Sequence, residues 1–153
     1  MKSDLIKKLS QQKGTFKGRG LNHEKQTFDG VLTLIPLLSG LGISLHFRAT
    51  GEDGAVFHEE YTTIAPTLTD GLYLFNLNSN MPGLVSHKLI REESSSPNVE
   101  CAVFAFEDRA NKNVFREEIT LELHSNGGIA YKYAWGMPQG EFADRSGAMM
   151  LPI

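Results

Sequence analysis

Leu41-Gly42-Ile43-Ser44-Leu45-His46-Phe47-Arg48-Ala49-Thr50-Gly51-Glu52-Asp53-Gly54-Ala55-Val56-Phe57-His58-Glu59-Glu60-Tyr61-Thr62-Thr63-Ile64 alternates apolar and polar side chains on both sides of a glycine-bounded turn. Period-two alternation places successive side chains on opposite faces of a strand, so the stretch reads as a β-hairpin. A type I turn at Glu52-Asp53 followed by Gly54 in the left-handed region would pair Gly51 with Ala55. That register sets Arg48 opposite His58, His46 opposite Glu60 and Ser44 opposite Thr62. Ile43, Leu45, Phe47, Phe57 and Tyr61 then gather on the other face.

The same rhythm continues along the chain. Strands are expected at 15–20, 28–37, 41–50, 55–64, 72–77, 84–90, 99–106, 114–124 and 129–135, with a tenth, weaker segment at 141–150 that Gly147 interrupts. A second hairpin around Ser125-Asn126-Gly127 aligns Leu123 with Ile129, Leu121 with Tyr131, Ile119 with Tyr133 and Glu117 with Trp135. Its other face carries Arg116, Glu118, Thr120, Glu122, His124 and Lys132, which are expected in water. Glu92-Glu93-Ser94-Ser95-Ser96-Pro97-Asn98 reads as a solvated loop. A meander this long leaves raw edges unless it closes, so the expectation is an all-β fold, a single closed antiparallel barrel of nine or ten strands. Residues 14–153 form the barrel and 1–13 a short N-terminal helix, in one domain spanning 1–153.

That helix is expected over 3–12, about three turns long. Ser3 can cap it, Asp4 favours its positive end, Leu5, Ile6 and Leu9 share a stripe, and Gly14 can end it. The stripe must dock on apolar surface, which in a small barrel is an open end or the outer wall.

Composition narrows the function classes. With 153 residues and 41% hydrophobic content one sizeable core is expected, and a formal net charge of −3 made of interspersed charges offers no basic field for nucleic acid. The single cysteine, Cys101, forbids an internal disulfide and suits a reducing compartment. Met1-Lys2-Ser3-Asp4-Leu5-Ile6 lacks the apolar run of a signal peptide, and no stretch approaches a membrane span. A cytoplasmic protein with no membrane partner is the expectation.

Gly14-Thr15-Phe16-Lys17-Gly18-Arg19-Gly20 resembles the Gly-x-Trp opening of calycins, and most closely the start of nitrobindin-like haem-binding barrels. The resemblance implies a calycin-type barrel, similar to lipocalins and fatty-acid-binding proteins, enclosing a small hydrophobic molecule. Phe16 stands where that opening has tryptophan, and no histidine follows His124, whereas nitrobindin-like barrels take their haem ligand from near the C-terminal end. Haem is therefore disfavoured as the cofactor. The Arg-x-Tyr by which fatty-acid-binding proteins hold a carboxylate is also absent from the late strands, which offer only the adjacent Lys132-Tyr133.

The expected function is binding of a small hydrophobic ligand inside the barrel. Tyr61, Tyr73, Tyr131, Tyr133 and Trp135 combine apolar area with a polar end and are the candidate lining, with Arg145 supplying charge near the barrel wall. The alternative is an acid–base or metal-dependent enzyme that uses His46, His58, His87 or His124 with Glu59, Glu60 and Arg48. No His-x-His, His-Glu-x-x-His or Cys-x-x-Cys spacing supports it. A third expectation is a structural protein or homodimer, motivated by Met149-Met150-Leu151-Pro152-Ile153.

Overall fold

The computed structural model describes residues 3–12 and 14–153. A helix, α1 (Leu5–Gln11), precedes ten strands: β1 (Gly14–Leu21), β2 (Thr27–Leu37), β3 (Gly42–Thr50), β4 (Val56–Pro66), β5 (Leu72–Asn78), β6 (Val85–Ser96), β7 (Val99–Phe106), β8 (Arg116–His124), β9 (Ile129–Gly136) and β10 (Ala143–Pro152). Each strand pairs antiparallel with its neighbour in sequence, and β10 pairs with β1 to close the barrel. Closure removes the free edges that the alternation alone would leave.

Closure depends on the glycines of β1. A Cβ on Gly18 would sit 1.9 Å from the Met149 carbonyl oxygen, and one on Gly20 would sit 2.3 Å from that of Gly147. Those two positions admit only a hydrogen, which lets β10 cross close to β1. The tenth strand forms despite Gly147, which pairs with both Leu21 and Lys132.

The helix is shorter than expected, seven residues. Ser3 Oγ accepts a hydrogen bond from the Leu5 amide at 3.1 Å, and no side chain caps from Asp4. Gly14 starts β1, and the C-cap is Gln12. Leu5 and Leu9 are fully buried with Leu34, Ile43, Ile64, Leu74, Leu123 and Ile129. These residues lie at the end of β2, β4 and β8 and at the start of β3, β5 and β9, so α1 stoppers one end of the barrel. Lys8 Nζ reaches Glu100 at 2.7 Å and Ser3 Oγ donates to Glu92 at 3.0 Å, tying the helix across to β6 and β7.

The β8–β9 hairpin has the expected register throughout. Arg116 and Glu118 nevertheless leave the solvent: both are buried on the outer wall beneath the loops that follow β7 and β9. The segment 92–96, expected as loop, continues β6 and pairs with β7 through bulges at Leu89/Arg91 and Ser94/Ser96.

The β3–β4 hairpin departs from expectation by one residue. Its turn is as expected, with the Gly51 amide donating to the Ala55 carbonyl at 2.8 Å and Gly54 at φ 86°. Beyond the turn, Thr50 pairs with Val56 but Ala49 pairs with His58, so Phe57 is bulged out of the ladder. The slip reverses the faces of β4. His58, Glu60, Thr62 and Ile64 point inward, and Tyr61 lies on the outer wall, 63% exposed and stacked on His46 at 4.4 Å. His46 accordingly meets Glu59 at 2.8 Å rather than Glu60.

Candidate functional site

The barrel end opposite α1 holds a cavity of about 750 Å³. Its wall is aromatic and thioether, from Phe28, Phe47, Phe57, Phe106, Phe115, Trp135, Met81 and Met137, and its polar groups include His58, Asn78, Glu117 and Tyr133. An apolar cavity of this size with a few convergent polar groups is the usual form of a small-molecule site.

The floor is a buried hydrogen-bonded network centred on Glu60. Its Oε1 accepts from His58 Nε2 at 2.9 Å and Tyr133 Oη at 2.7 Å; its Oε2 accepts from Tyr131 Oη at 2.7 Å, Asn76 Nδ2 at 2.8 Å and Thr62 Oγ1 at 2.5 Å. Burial pushes the carboxyl upward, but the hydrogen bonds from His58, Thr62 and Tyr133 outweigh it and hold Glu60 below the ordinary glutamate value. Burial, followed by the Glu60 charge, pushes the Tyr131 and Tyr133 phenols well above their usual value, which keeps both as donors. Asn78 Nδ2 donates to Asn76 Oδ1 and extends the network toward the mouth.

His58 is held from both sides. Asn80 Nδ2 donates to the Phe57 carbonyl at 3.2 Å and to His58 Nδ1 at 2.9 Å, which places the ring proton on Nε2, where Glu60 takes it. Both ring nitrogens are thus engaged, and neither is free for proton exchange with a bound molecule.

A second buried pair stands in the wall. His87 Nε2 meets Glu117 Oε1 at 2.8 Å, with the two side chains 0% and 5% exposed. Among the described residues no group of three His, Cys, Asp or Glu side chains is arranged to hold a metal ion. The remaining strand histidines, His46 and His124, pair with Glu59 and Glu122 away from the cavity.

Two arginines shape the rim. Arg116 is fully buried and donates from Nε to the Arg109 carbonyl, from Nη1 to Met137 at 2.7 Å and from Nη2 to Gly140 at 2.8 Å, clamping the loops that follow β7 and β9. Gly136 permits this, because a Cβ there would lie 2.7 Å from the guanidinium carbon. Arg145 is the bulged residue between Asp144 and Ser146. Its guanidinium lies over the Trp135 ring at 4.4 Å and donates to the Trp135 and Glu141 carbonyls.

Of the expected lining residues, Tyr133 and Trp135 line the cavity, and Tyr131 lies directly beneath it. Tyr61 and Tyr73 belong to the outer wall, where the Tyr73 hydroxyl donates to Asp70 at 3.1 Å. Arg145 acts through Trp135 rather than facing the cavity. In the sequence Glu60 reads only as a polar-face partner of His46 and as part of an enzyme alternative, Phe47 and Phe57 read as the apolar face, and Asn76, Asn78, Phe28, Phe106 and Phe115 were passed over. The alternation Leu74, Asn76, Asn78 on β5 carried a signal, since it runs polar side chains along an inward face.

The geometry defines a class: a closed ten-stranded antiparallel barrel, stoppered at one end and hollow at the other. Among solved structures the chain is similar to the crystal structure of Rv2717c from M. tuberculosis, with a TM-score of 0.72 at 11% identity, over 100% of this chain and 99% of that one. The likeness is one of fold. No family model matches the chain, and no curated protein matches it.

The strand histidines are poorly placed to ligate a haem, and the other cavity histidine, His23 on the loop after β1, meets Trp135 edge-on at 5.8 Å. No histidine follows His124, which lies at the α1 end bonded to Glu122 at 3.1 Å, and His58 has both nitrogens occupied.

Proposed function

We propose that this protein is a calycin-type barrel that binds a small, largely apolar molecule in the open half of its interior. The observation that carries the reading is the 750 Å³ aromatic-walled cavity above a polar floor whose hydrogen bonds are already satisfied. A filled barrel of this strand number would have left no such space. Engagement of both His58 nitrogens favours binding over acid–base chemistry at that position. Cys101, the single cysteine, supports a reducing compartment, and the cytoplasm is the proposed location. Among the described residues no helix is long and apolar enough to cross a membrane.

The test is fluorescence titration with the neutral probe N-phenyl-1-naphthylamine, read with Trp135 emission. Saturable one-site binding is expected. Ala49→Trp, which fills the cavity from its lining, should weaken the probe at least about tenfold, or 1.4 kcal/mol. Absence of saturable binding, or equal binding by the filled variant, overturns the reading.

A further inference from the structure

Two buried carboxylates face the interior of the open half, Glu60 and Glu117, and they differ in what they have left to offer. Glu60 is saturated by hydrogen bonds from His58, Thr62, Asn76, Tyr131 and Tyr133. Glu117 has one donor among the described residues, His87 Nε2 at 2.8 Å on its Oε1. Its Oε2 has no partner among them and is not sealed within protein, while Glu117 itself lines the cavity.

The state of the pair follows from the other nitrogen of His87. His87 Nδ1 is buried without a hydrogen-bond partner. A bare lone pair costs less there than an unpartnered N–H, because a stranded donor forfeits its full solvation. A ring carrying one proton therefore carries it on Nε2 and donates it in a hydrogen bond to Glu117 Oε1, which leaves Oε2 as the unengaged oxygen.

Its surroundings complete the chemistry. Phe106 on β7 and Trp135 on β9 are the register partners of Glu117, and Phe115 stands beside Phe106 at 6.3 Å between rings. Among the described residues no lysine or arginine lines the cavity, and the nearby Arg145 guanidinium packs on the Trp135 ring at 4.4 Å. An acidic acceptor with an unengaged oxygen, flanked by the rings of Phe106 and Phe115, matches an ammonium group: the carboxylate supplies the ion pair and the rings cation–π attraction. An anionic head group would meet the Glu117 side chain directly, while the nearby Arg145 guanidinium is already engaged by the Trp135 ring and two backbone carbonyls.

We propose that Glu117 makes the cavity selective for a cationic amphiphile, an amine carried on an apolar or aromatic body, and that the cavity rejects the corresponding carboxylates. The proposal rests on the reading of the cavity as a ligand site, and it names the class of ligand.

Three probes of one shape separate the alternatives: 4-phenylbutylamine, 4-phenylbutanol and 4-phenylbutanoate, titrated calorimetrically at neutral pH into the full chain. The amine is expected to bind tightest and the carboxylate weakest, with a ratio of about tenfold or more between them, 1.4 kcal/mol per factor of ten. Glu117→Gln should bring that ratio to within about threefold. If the alcohol binds and the amine binds no better than the carboxylate, the selectivity is overturned while the cavity reading stands. If none of the three binds, both fall together with the naphthylamine result. Should the glutamine variant fail to fold, as judged by its melting transition, the ranking by the unmodified protein decides alone.

Discussion

The two ends of this barrel are built by the same ten strands and have opposite interiors. At the α1 end, Leu9, Leu34, Ile43, Ile64, Leu74 and Ile129 interdigitate with essentially no exposure. At the other, Phe57, Phe106, Phe115, Trp135 and Met137 stand around empty space above the Glu60 network. Aliphatic side chains of modest size fill a lumen from all sides, whereas rings held upright by loops and bulges line it. The stoppered end supplies packing, and the hollow end supplies the space on which the proposed ligand binding rests.

Core truncation separates the ends most strongly. Leu45→Ala, in the filled interior, should cost about 3–5 kcal/mol, because the surrounding residues cannot collapse into the void. Phe115→Ala should cost only about 1 kcal/mol, since its ring already borders space and loses fewer neighbours. Urea unfolding of both variants measures the difference. Equal losses would mean that the open half is as tightly packed as the closed one.

The network between the halves comes next. Glu60→Gln should destabilise the fold by about 2–4 kcal/mol, because the replacement amide cannot accept from all the donors that converge on the carboxylate. The pH dependence has a definite sign on each side. The folded-state value of Glu60 lies below its unfolded value, so its contribution is present above about pH 4.3 and is lost as pH falls through the folded value. Tyr131 and Tyr133 are raised, so theirs is present below about pH 10 and is lost as pH rises through the folded values. Urea midpoints across pH should fall at both extremes, and Glu60→Gln should flatten the acid limb. An unchanged acid limb would remove Glu60 from the account.

The smallest effect is expected at the rim. Arg145→Ala removes the cation over Trp135 and two hydrogen bonds to the neighbouring backbone, for about 1 kcal/mol or less of stability. Loss of the tether should weaken naphthylamine binding about threefold. If affinity is unchanged, Trp135 is positioned by the strand alone.

Much of the architecture was legible in the residues. Strand number, nearly every boundary and the whole β8–β9 register follow from period-two alternation and turn chemistry, both of which operate within a dozen residues. Tyr131, Tyr133 and Trp135 were legible as inward-facing for the same reason. Tyr61 was not, because Val56-Phe57-His58-Glu59-Glu60-Tyr61 alternates acceptably in either parity, and burying Tyr61 looks better than burying Glu60.

The sequence by itself determined an antiparallel meander long enough to close and a helix with one apolar stripe; that Gly18 and Gly20 let β10 cross close to β1 was shown by the structure. The tertiary structure alone decided the parity of β4, the burial of Arg116 and the difference between Glu60 and Glu117. Bulging Phe57 sends Glu60 inward, and that is tolerable only because Tyr131 and Tyr133 arrive from β9, some seventy residues away, to meet it. Local alternation chooses strands, but which face is inside is settled by the partners that a side chain finds across the barrel, and those are set by closure.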